Sequence, residues 1–338
     1  MTATALRDDA IDSPHEPTVA ARIWTGVSQN SITSVTITLV IVLIVGALWA
    51  GPIFLSASNL GILASSVAIP LIVGSLAAIG LLGGALDLSI GAHIGFGAAL
   101  FSAQYAAGAP IWQAMVVTVI ASVLIGVVNA FTIVFCKGNP ITITLGMLVA
   151  LHGAALVALG KPGQISAFIP ALYAFTAGRV GPFPTLFLIG VVLVVFAAVV
   201  MGLTRLGRHI RAVGGDPRAS ERAGLKTNRI VVGLYILVAL GAGFGGVLYA
   251  GALGGASATL GVGLEFQIYA GVLIGGFSLL RGGVGNPIGG AIGLIVIAAV
   301  DNMLRLNGAD INVAFLVLGL LLLGAILLDR VRGGERFE

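Results

Sequence analysis

The sequence predicts an all-α fold, a polytopic transmembrane helical bundle of about ten spans with broken glycine-rich segments. Of its 338 residues, 58% are apolar and only 9% are charged, whereas a soluble domain carries about 25% charged residues. The mean hydropathy is +1.11. Glycine contributes 50 residues and aromatic residues only 7%, which favours helices packed closely through small side chains. The apolar runs are continuous rather than alternating, which excludes a transmembrane β-barrel.

The polar N-terminal segment, 1–31, is expected to be a disordered cytoplasmic tail. It contains Pro14 and Pro17, and acidic residues outnumber basic ones, a composition that favours disorder. Its acidic start does not fit a secretory signal peptide. The membrane domain is then predicted at 32–330, and 331–338 forms a second cytoplasmic tail.

Ten apolar runs are predicted to cross a hydrocarbon core of ~30 Å. They lie at 33–55, 60–82, 88–107, 111–135, 141–160, 183–203, 230–251, 266–280, 287–304 and 313–328. The run at 266–280 is short and is either a full span or a re-entrant segment. The longest outward loop, 161–182, is either a simple connector or an external docking surface with a short surface helix.

One long polar segment, 205–229, interrupts the apolar pattern. Asp216 and Glu221 are its only acidic residues. Basic residues next to membrane spans stay on the cytoplasmic side, so this segment predicts the orientation. Six spans before it and four after it place both termini in the cytoplasm as well. The basic residues of the segment are Arg205, Arg208, Arg211, Arg218, Arg222, Lys226 and Arg229.

The basic segment also carries the signals of a short helix at about 217–223. Asp216 fits an N-cap and Pro217 the first helical position, while Gly224 provides a left-handed stop. Gly214 and Gly215 are expected to act as hinges before it. Such a helix is suited to dock onto a separate motor domain. The alternative is a basic loop that only sets the topology and contacts anionic lipid.

Asp87 is the most informative single charge, because a carboxylate inside a membrane needs hydrogen bonds or a partner. It is expected to cap a helix that starts at residue 88 or 89, either in a broken helix beside the pathway or at the membrane edge. Asp87→Ala should damage the protein under both interpretations. His93 and His152 are interpreted as packing residues.

Glycine-rich stretches at 251–263 and 275–290 predict breaks in the second half of the chain, either at a pathway or for tight packing. Polar positions in or near the spans either line the pathway or join helices by hydrogen bonds. They are Asn129, Glu265, Gln267, Asp301 and Asn302.

Several functional classes are excluded by what the sequence lacks. No G-x-x-x-x-G-K-[ST] motif occurs, so the chain is not itself a P-loop ATPase. It contains a single cysteine, Cys136, and shows no metal-ligand cluster and no nucleophile paired with a base. Its cations cluster in one segment beside membrane spans, which argues against nucleic acid as a partner. The sequence therefore predicts a transporter rather than an enzyme.

Four motifs in order along the chain resemble one known family. Asp-Leu-Ser-x-Gly stands at 87–91, and a span with Thr-Leu-Gly at 141–147. A Gly-Arg…Gly-Gly-Asp…Gly pattern occupies 207–224, and a Gly-Gly-x-Ser-Leu…Gly-Gly-x-Gly run with one extra residue occupies 275–285. On these residues the chain resembles the ribose-type permeases of bacterial ATP-binding-cassette importers, which also serve xylose, galactose and inositol.

The resemblance implies a dimer of permease subunits, a homodimer or a heterodimer, in the bacterial inner membrane. Each subunit would dock a coupling helix onto a separate ATPase subunit, which binds ATP and Mg, so this chain needs no cofactor of its own. An external solute-binding protein would deliver a monosaccharide or polyol. Other solutes, such as a branched-chain amino acid or a signalling sugar, stay open, and so does an ion-coupled secondary transporter.

The expected site residues fall into two sets. ATPase coupling is expected of Gly214, Gly215, Asp216, Pro217, Arg218, Glu221, Arg222 and Gly224. A place on the translocation pathway or at a broken helix is expected of Asp87, Ser89, Asn129, Gln267, Ser278 and Asn302. The chain departs from the family's pattern at three places, since Asp216 replaces an asparagine, Arg222 replaces an apolar residue, and Glu265-Phe266-Gln267 replaces an acidic-leucine-acidic sequence.

Overall fold

The computed structural model of the chain describes residues 31–161, 163–279 and 282–332. The tails expected at 1–31 and 331–338 therefore lie outside the described residues, except for Ser31, Val331 and Arg332. The helices are α1 (Ser31–Trp49), α2 (Ala57–Leu82), α3 (Ile90–Ala106), α4 (Ile111–Ala130), α5 (Pro140–Leu159), α6 (Pro170–Thr176), α7 (Thr185–Leu203), α8 (Arg205–Gly215), α9 (Pro217–Arg222), α10 (Thr227–Leu253), α11 (Leu264–Ile274), α12 (Pro287–Leu306) and α13 (Ile311–Arg332).

Four very short strands form two antiparallel pairs that the sequence did not predict. β1 (Gln164–Ser166) pairs with β4 (Gly255–Ser257), and β2 (Arg179–Val180) pairs with β3 (Phe183–Pro184). Three of these strands, together with α6, lie in the loop predicted at 161–182 or directly after it. The short helix expected in that loop is confirmed as α6. The fold is otherwise helical, and the all-α prediction is confirmed.

One end of the bundle carries the basic segment, and we call it the basic end. Helices α8 and α9 lie there with the end of α2 and the loop 275–286, since Gly283 N donates a hydrogen bond to Leu82 O at 2.9 Å. The paired strands β1 and β4 lie at the opposite end. Within the described residues, α1–α5, α7 and α10–α13 follow the order of the ten predicted spans.

Not all of these ten helices are long and apolar. Seven described helices are long and apolar enough to cross a membrane, namely α1, α2, α4 with its π-helical extension Phe131–Phe135, α5, α7, α10 and α12. The predicted spans at 88–107 and 313–328 correspond to α3, which has 17 residues, and α13, whose apolar part is Ile311–Leu327. The first span ends at Trp49 rather than at residue 55, because Gly51 adopts a left-handed φ of 73°.

The run at 266–280, predicted as either a full span or a re-entrant segment, contains one short helix, α11. Helix α11 has only 11 residues, about 16 Å at 1.5 Å per residue, so it is too short to cross alone. The chain instead descends from β4 through a non-helical stretch in which Gly261 and Gly263 have φ values of 92° and 83°. This stretch packs against α3, where Gly261 contacts Gly91 and Gly95. The pass is therefore half irregular backbone and half helix.

The interior of the bundle is formed by α2, α3, α10, α11 and α12. In α2, 78% of the apolar span is buried, compared with 11% in α1. Helix α10 packs most extensively on α3 and α4, and α11 packs on α12. The side chains of α1, α4, α5 and α7 are largely exposed on the outer surface, where a membrane protein meets lipid or another subunit.

Glycine permits the closest helix crossings in this interior. A Cβ at Gly246 of α10 would overlap the carbonyl oxygen of Ile94 and lie 2.6 Å from the amide nitrogen of Ala98, both in α3. A Cβ at Gly293 of α12 would likewise overlap the carbonyl oxygen of Gly271 in α11. Backbones that approach this closely gain dispersion contacts that larger side chains prevent.

We expect Gly246→Ala to lower the thermal unfolding temperature of the detergent-solubilised protein. The added methyl group meets fixed α3 backbone, and overpacking of this kind costs about 1–3 kcal/mol. Gly153→Ala in α5 is the matched control, because a Cβ there meets nothing within 4 Å and alanine has the higher helix propensity. A Gly246→Ala protein as stable as the Gly153→Ala protein would contradict this packing.

Candidate functional site

The break between α2 and α3 is organised around Asp87. Helix α2 ends in a glycine turn in which Gly84 has φ 81° and Ala85 N donates to Gly80 O at 2.8 Å. Asp87 Oδ1 then accepts hydrogen bonds from the backbone N of Ser89, at 2.9 Å, and from the Ser89 hydroxyl. Asp87 is not the N-cap that the sequence predicted, because α3 begins at Ile90 and Ser89 occupies the cap position. The carboxylate instead stabilises the turn before the helix.

Two predicted site residues join Asp87 in this break. Asn129 of α4 donates from Nδ2 to Asp87 Oδ2 at 3.2 Å and lies 3.5 Å from Ser89 Oγ. Asp87 is 1% exposed, and Ser89 and Asn129 are fully buried. The structure therefore brings Asp87, Ser89 and Asn129 into one polar cluster inside the protein.

Two tyrosines that are not among the predicted site residues support the same break. Tyr269 of α11 donates its hydroxyl hydrogen to Asp87 O at 3.0 Å, and Asp87 N lies 3.1 Å from the same hydroxyl oxygen. Tyr235 of α10 donates to Leu86 O at 3.2 Å. A buried tyrosine hydroxyl usually finds a polar partner. A tyrosine within an apolar span is therefore the sequence feature that could have indicated these two contacts.

Glu265 is a second buried carboxylate close to this cluster. It is 3% exposed, its Oε1 accepts from Gly263 N at 3.3 Å, and its Oε2 has no partner among the described residues. A Cβ at Gly91, in the first turn of α3, would overlap Oε2. Glu265 is predicted from the sequence as a polar position but not as a site residue.

The other three predicted pathway residues lie apart from the Asp87 cluster. Gln267 lines a cavity of about 230 Å³ between α11, α12 and α13, together with the ion pair of Arg305 and Asp301, whose Nε and Oδ2 are 2.7 Å apart. Asn302 exchanges two hydrogen bonds with Asn59 of α2, at 2.8 and 3.0 Å. Asn59 and Asn302 therefore link α2 to α12.

Ser278 belongs to the second break, the loop 275–286, in which residues 280 and 281 are not described. Its hydroxyl donates to Asp329 Oδ2 of α13 at 2.8 Å, and Leu279 N donates to the same oxygen at 3.0 Å. This loop begins with the same turn as the first break, since Gly276 has φ 92° and Phe277 N donates to Val272 O. Both breaks thus begin with a glycine-terminated helix that runs to the basic end.

The short helix α9 forms as its capping residues predict. Asp216 Oδ1 accepts from Ala219 N at 2.9 Å, Pro217 occupies the first turn, and Gly224 has φ 85°. Arg218 and Arg222 are exposed. Glu221 Oε1 accepts from the Thr227 hydroxyl at 2.6 Å, which connects α9 to the start of α10.

The expected hinges at Gly214 and Gly215 are wrong, because α8 continues as a helix through both residues. A Cβ at Gly214 would overlap Leu82 O at the end of α2 and lie 2.9 Å from Gly283 N. Glycine is therefore needed at 214 for a close approach of three backbone segments and not for bending.

Arg211 of α8 joins the basic helices to the second break. Its Nη1 donates to Gly285 O at 2.8 Å and to Gly283 O at 3.2 Å, and its Nε donates to Met201 O at 3.3 Å. Partial burial lowers the pKa of the Arg211 guanidinium, but arginine keeps its charge in proteins. The charged fork compensates carbonyl groups that the irregular loop leaves without partners.

Among the described residues, no three His, Cys, Asp or Glu side chains are grouped so that they could hold a metal ion. The geometry is instead that of a helical bundle with two broken helices and a basic surface helix connected to them.

The family model described as "Branched-chain amino acid transport system / permease component" matches residues 58–326. The chain belongs to this permease family. The matched range covers both breaks, α8 and α9. The permease is a transport protein and not an enzyme, and its apolar helices make it a multi-pass protein of the inner membrane.

Curated relatives of the permease are bacterial import proteins. The autoinducer 2 import system permease protein LsrD of Escherichia coli (strain SMS-3-5) is 28% identical over 245 residues, 71% of this chain and 74% of the relative. LsrD of Klebsiella pneumoniae (strain MGH 78578) is 28% identical over 252 residues, 73% and 76% of the two chains. No solved structure matches the permease.

We expect Asp87→Ala to lower the unfolding temperature of the permease far more than Asp87→Asn. Alanine leaves the Ser89 amide, the Ser89 hydroxyl and Asn129 Nδ2 buried without their acceptor, at about 1–3 kcal/mol for each group. Asparagine keeps an acceptor for Ser89, and Asn129 can turn its amide so that Oδ1, which now has no partner, accepts from the new side chain. Equal loss in both variants, measured by thermal unfolding in detergent, would show that the negative charge itself is required.

Proposed function

We propose that the permease is the membrane-spanning subunit of an ATP-driven importer for a small sugar-like solute. The observation that carries this proposal is the capped helix α9 at the basic end, together with the contacts that connect its neighbour α8 to both breaks. A separate ATPase subunit supplies ATP and Mg, and an external solute-binding protein delivers the solute. This subunit works as a homodimer or with a related permease.

The sugar-like class is supported by the relatives, whose printed names assign them to autoinducer 2 import. The resemblance of the motifs to ribose-type permeases supports the same class. The cavity beside Gln267 contributes an amide, a carboxylate and a guanidinium within an otherwise apolar lining. These are groups that bind hydroxyls through hydrogen bonds. Ribose, xylose and galactose are the members of this class that we propose.

A branched-chain amino acid is the second candidate, because the family description names that solute class. The Asp301–Arg305 pair offers one charge of each sign, which also fits the ammonium and carboxylate groups of a free amino acid. An ion-coupled carrier is less well supported. Glu265 does add a second buried carboxylate near the Asp87 cluster, but the family is one of transport-system permease components.

Helix α9 is suited to dock onto an ATPase. It presents Arg218 and Arg222 to solvent, and its two ends are held by Asp216 at the start and by the Glu221–Thr227 hydrogen bond near the end. A short helix fixed at both ends transmits a displacement of the ATPase to the membrane domain better than a free loop does. We assign Gly214, Gly215, Asp216, Pro217, Arg218, Glu221, Arg222 and Gly224 to this coupling element.

A displacement of α9 would reach the pathway through α8. Gly214 contacts the end of α2, which leads into the Asp87 break, and Arg211 holds the carbonyls of Gly283 and Gly285 in the second break. A displacement of α8 therefore acts on both breaks together. The proposal places the basic end in the cytoplasm, because seven basic residues lie in 205–229, and both chain termini on that side.

Charge reversal on α9 tests the docking. We expect Arg218→Glu/Arg222→Glu to abolish co-purification of a P-loop ATPase with the tagged permease, because the two exposed cations would become repulsive toward an acidic groove. Lys161→Glu/Arg179→Glu is the matched control, with the same change of charge at two exposed positions of the opposite end. A folded, transport-competent permease that purifies without any ATPase would overturn the importer proposal.

Arg211 tests the transmission. We expect Arg211→Lys to retain the ATPase, since α9 is unchanged, and to lower ATP-driven uptake about tenfold or more. Lysine keeps the charge, but its single terminal nitrogen cannot bind Gly283 O and Gly285 O together with Met201 O. Charged hydrogen bonds contribute about 1.5–3 kcal/mol each. Uptake is measured with radiolabelled ribose, xylose, galactose and leucine, so the wild-type protein also identifies the solute class. Arg208→Lys on the same helix is the control, and equal loss there would refute the role of Arg211.

A further inference from the structure

An apolar groove opens on the outer surface near the basic end. It has a volume of about 570 Å³ and runs between α2, α7, α8 and α10. Leu76, Leu193, Phe196, Leu206 and Leu237 are among the apolar side chains that line it. Phe196 is 62% exposed and Leu206 is 55% exposed, so the groove is accessible from the surface that faces the membrane.

The groove extends inward by about the depth of one lipid leaflet. Along α10 its lining reaches from Lys226, just before the first residue of the helix, to Leu237, ten positions after Thr227. At 1.5 Å per residue this is about 15 Å, which is half of the ~30 Å hydrocarbon core. The length of the groove therefore fits an acyl chain that enters from one leaflet.

A polar recess continues the groove at the membrane surface. Its volume is about 230 Å³, and its lining includes Thr227 and Asn228. Lys226 and Arg229 line both the recess and the apolar groove, so the two spaces meet at these cations. An apolar channel that ends in a small cationic recess matches the shape of one phospholipid.

The charges of the recess favour an anionic head group. Lys226 and Arg229 are exposed, and within the described ranges neither has an ion-pair partner. Glu221 is the one carboxylate of the recess lining. It already accepts the hydrogen bond of Thr227. Lys226 and Arg229 therefore face a single carboxylate in the recess, and that carboxylate is already hydrogen-bonded to Thr227.

We propose that this groove is a binding site for one anionic glycerophospholipid, with its phosphate at Lys226 and Arg229 and an acyl chain along α10. The lipid would fill the space between α8 and α10 and so contact the base of the coupling element. The site depends on the membrane location of the permease and on neither its solute nor its ATPase. A helix of a second permease copy would fill the apolar groove but leave the cations of the recess without anions.

The test is native mass spectrometry of the delipidated permease titrated with phosphatidylglycerol or with phosphatidylcholine of the same acyl chains. We expect the wild-type protein to bind the first phosphatidylglycerol about 25-fold more tightly than phosphatidylcholine, because each of the two basic residues near an anionic lipid surface contributes about fivefold. Lys226→Gln/Arg229→Gln should remove this preference. Arg205→Gln/Arg208→Gln, with the same change of charge outside the groove, should retain it.

A second pair of variants tests the apolar part. Gly233 lines the groove, and a Cβ there meets nothing within 4 Å, so Gly233→Leu should fill the groove without a clash. We expect it to abolish the tight first site for both lipids. Gly146→Leu in α5, at an exposed glycine that is equally free of neighbours, should leave binding unchanged.

Equal affinity of the wild-type protein for the two lipids would overturn the proposal. So would an equal loss of preference in Arg205→Gln/Arg208→Gln, or tight binding that survives Gly233→Leu. If Gly233→Leu instead converts dimers into monomers without changing lipid binding, the groove is a protein interface and the proposal fails. Should Lys226→Gln/Arg229→Gln not fold, the comparison of the two glycine variants still decides the question.

Discussion

The satisfaction of backbone polar groups where the chain leaves a helix inside an apolar bundle is the constraint on which the rest of the permease depends. Hydrocarbon offers no hydrogen bonds, so non-helical backbone persists in a membrane only where protein or a wet cavity supplies partners. Tyr235 and Tyr269 supply them at Leu86 and Asp87, and Arg211 supplies them at Gly283 and Gly285. Without these groups, the carbonyl oxygens of both breaks would lose hydrogen bonds that the apolar surroundings cannot replace.

The same contacts connect distant parts of the protein. Asp87 brings α4 to the first break through Asn129, and Tyr269 brings α11 to it. Leu82 O accepts from Gly283 N, so the two breaks touch at the basic end. Helix α8 therefore contacts both breaks, through Gly214 at the end of α2 and through Arg211 at Gly283 and Gly285.

The corrections to the sequence predictions have a common cause. Gly214 and Gly215 were expected to bend the chain, yet both lie in α8, and at Gly214 the missing side chain permits a close approach to the end of α2. Asp87 was expected to cap α3, yet it stabilises the turn one step earlier. The sequence left open whether 266–280 spans fully or is re-entrant, and the structure confines its helix to Leu264–Ile274, after left-handed glycines at 261 and 263. In each case the sequence identified a residue with a special role, and the packing of the helices decided what that role is.

The sequence by itself determined the membrane class, the ends of most spans and the capped helix α9. Hydropathy and capping are local properties, set by residues within a few positions of one another, as with Asp216 and Ala219. Only the tertiary structure decided the partners of Asp87, the position of Glu265 against Gly91, the role of Arg211 and the groove that ends at Lys226 and Arg229. These depend on residues far apart in sequence, such as the 182 positions between Asp87 and Tyr269. Which of many polar residues meet inside an apolar bundle is fixed by how the helices pack.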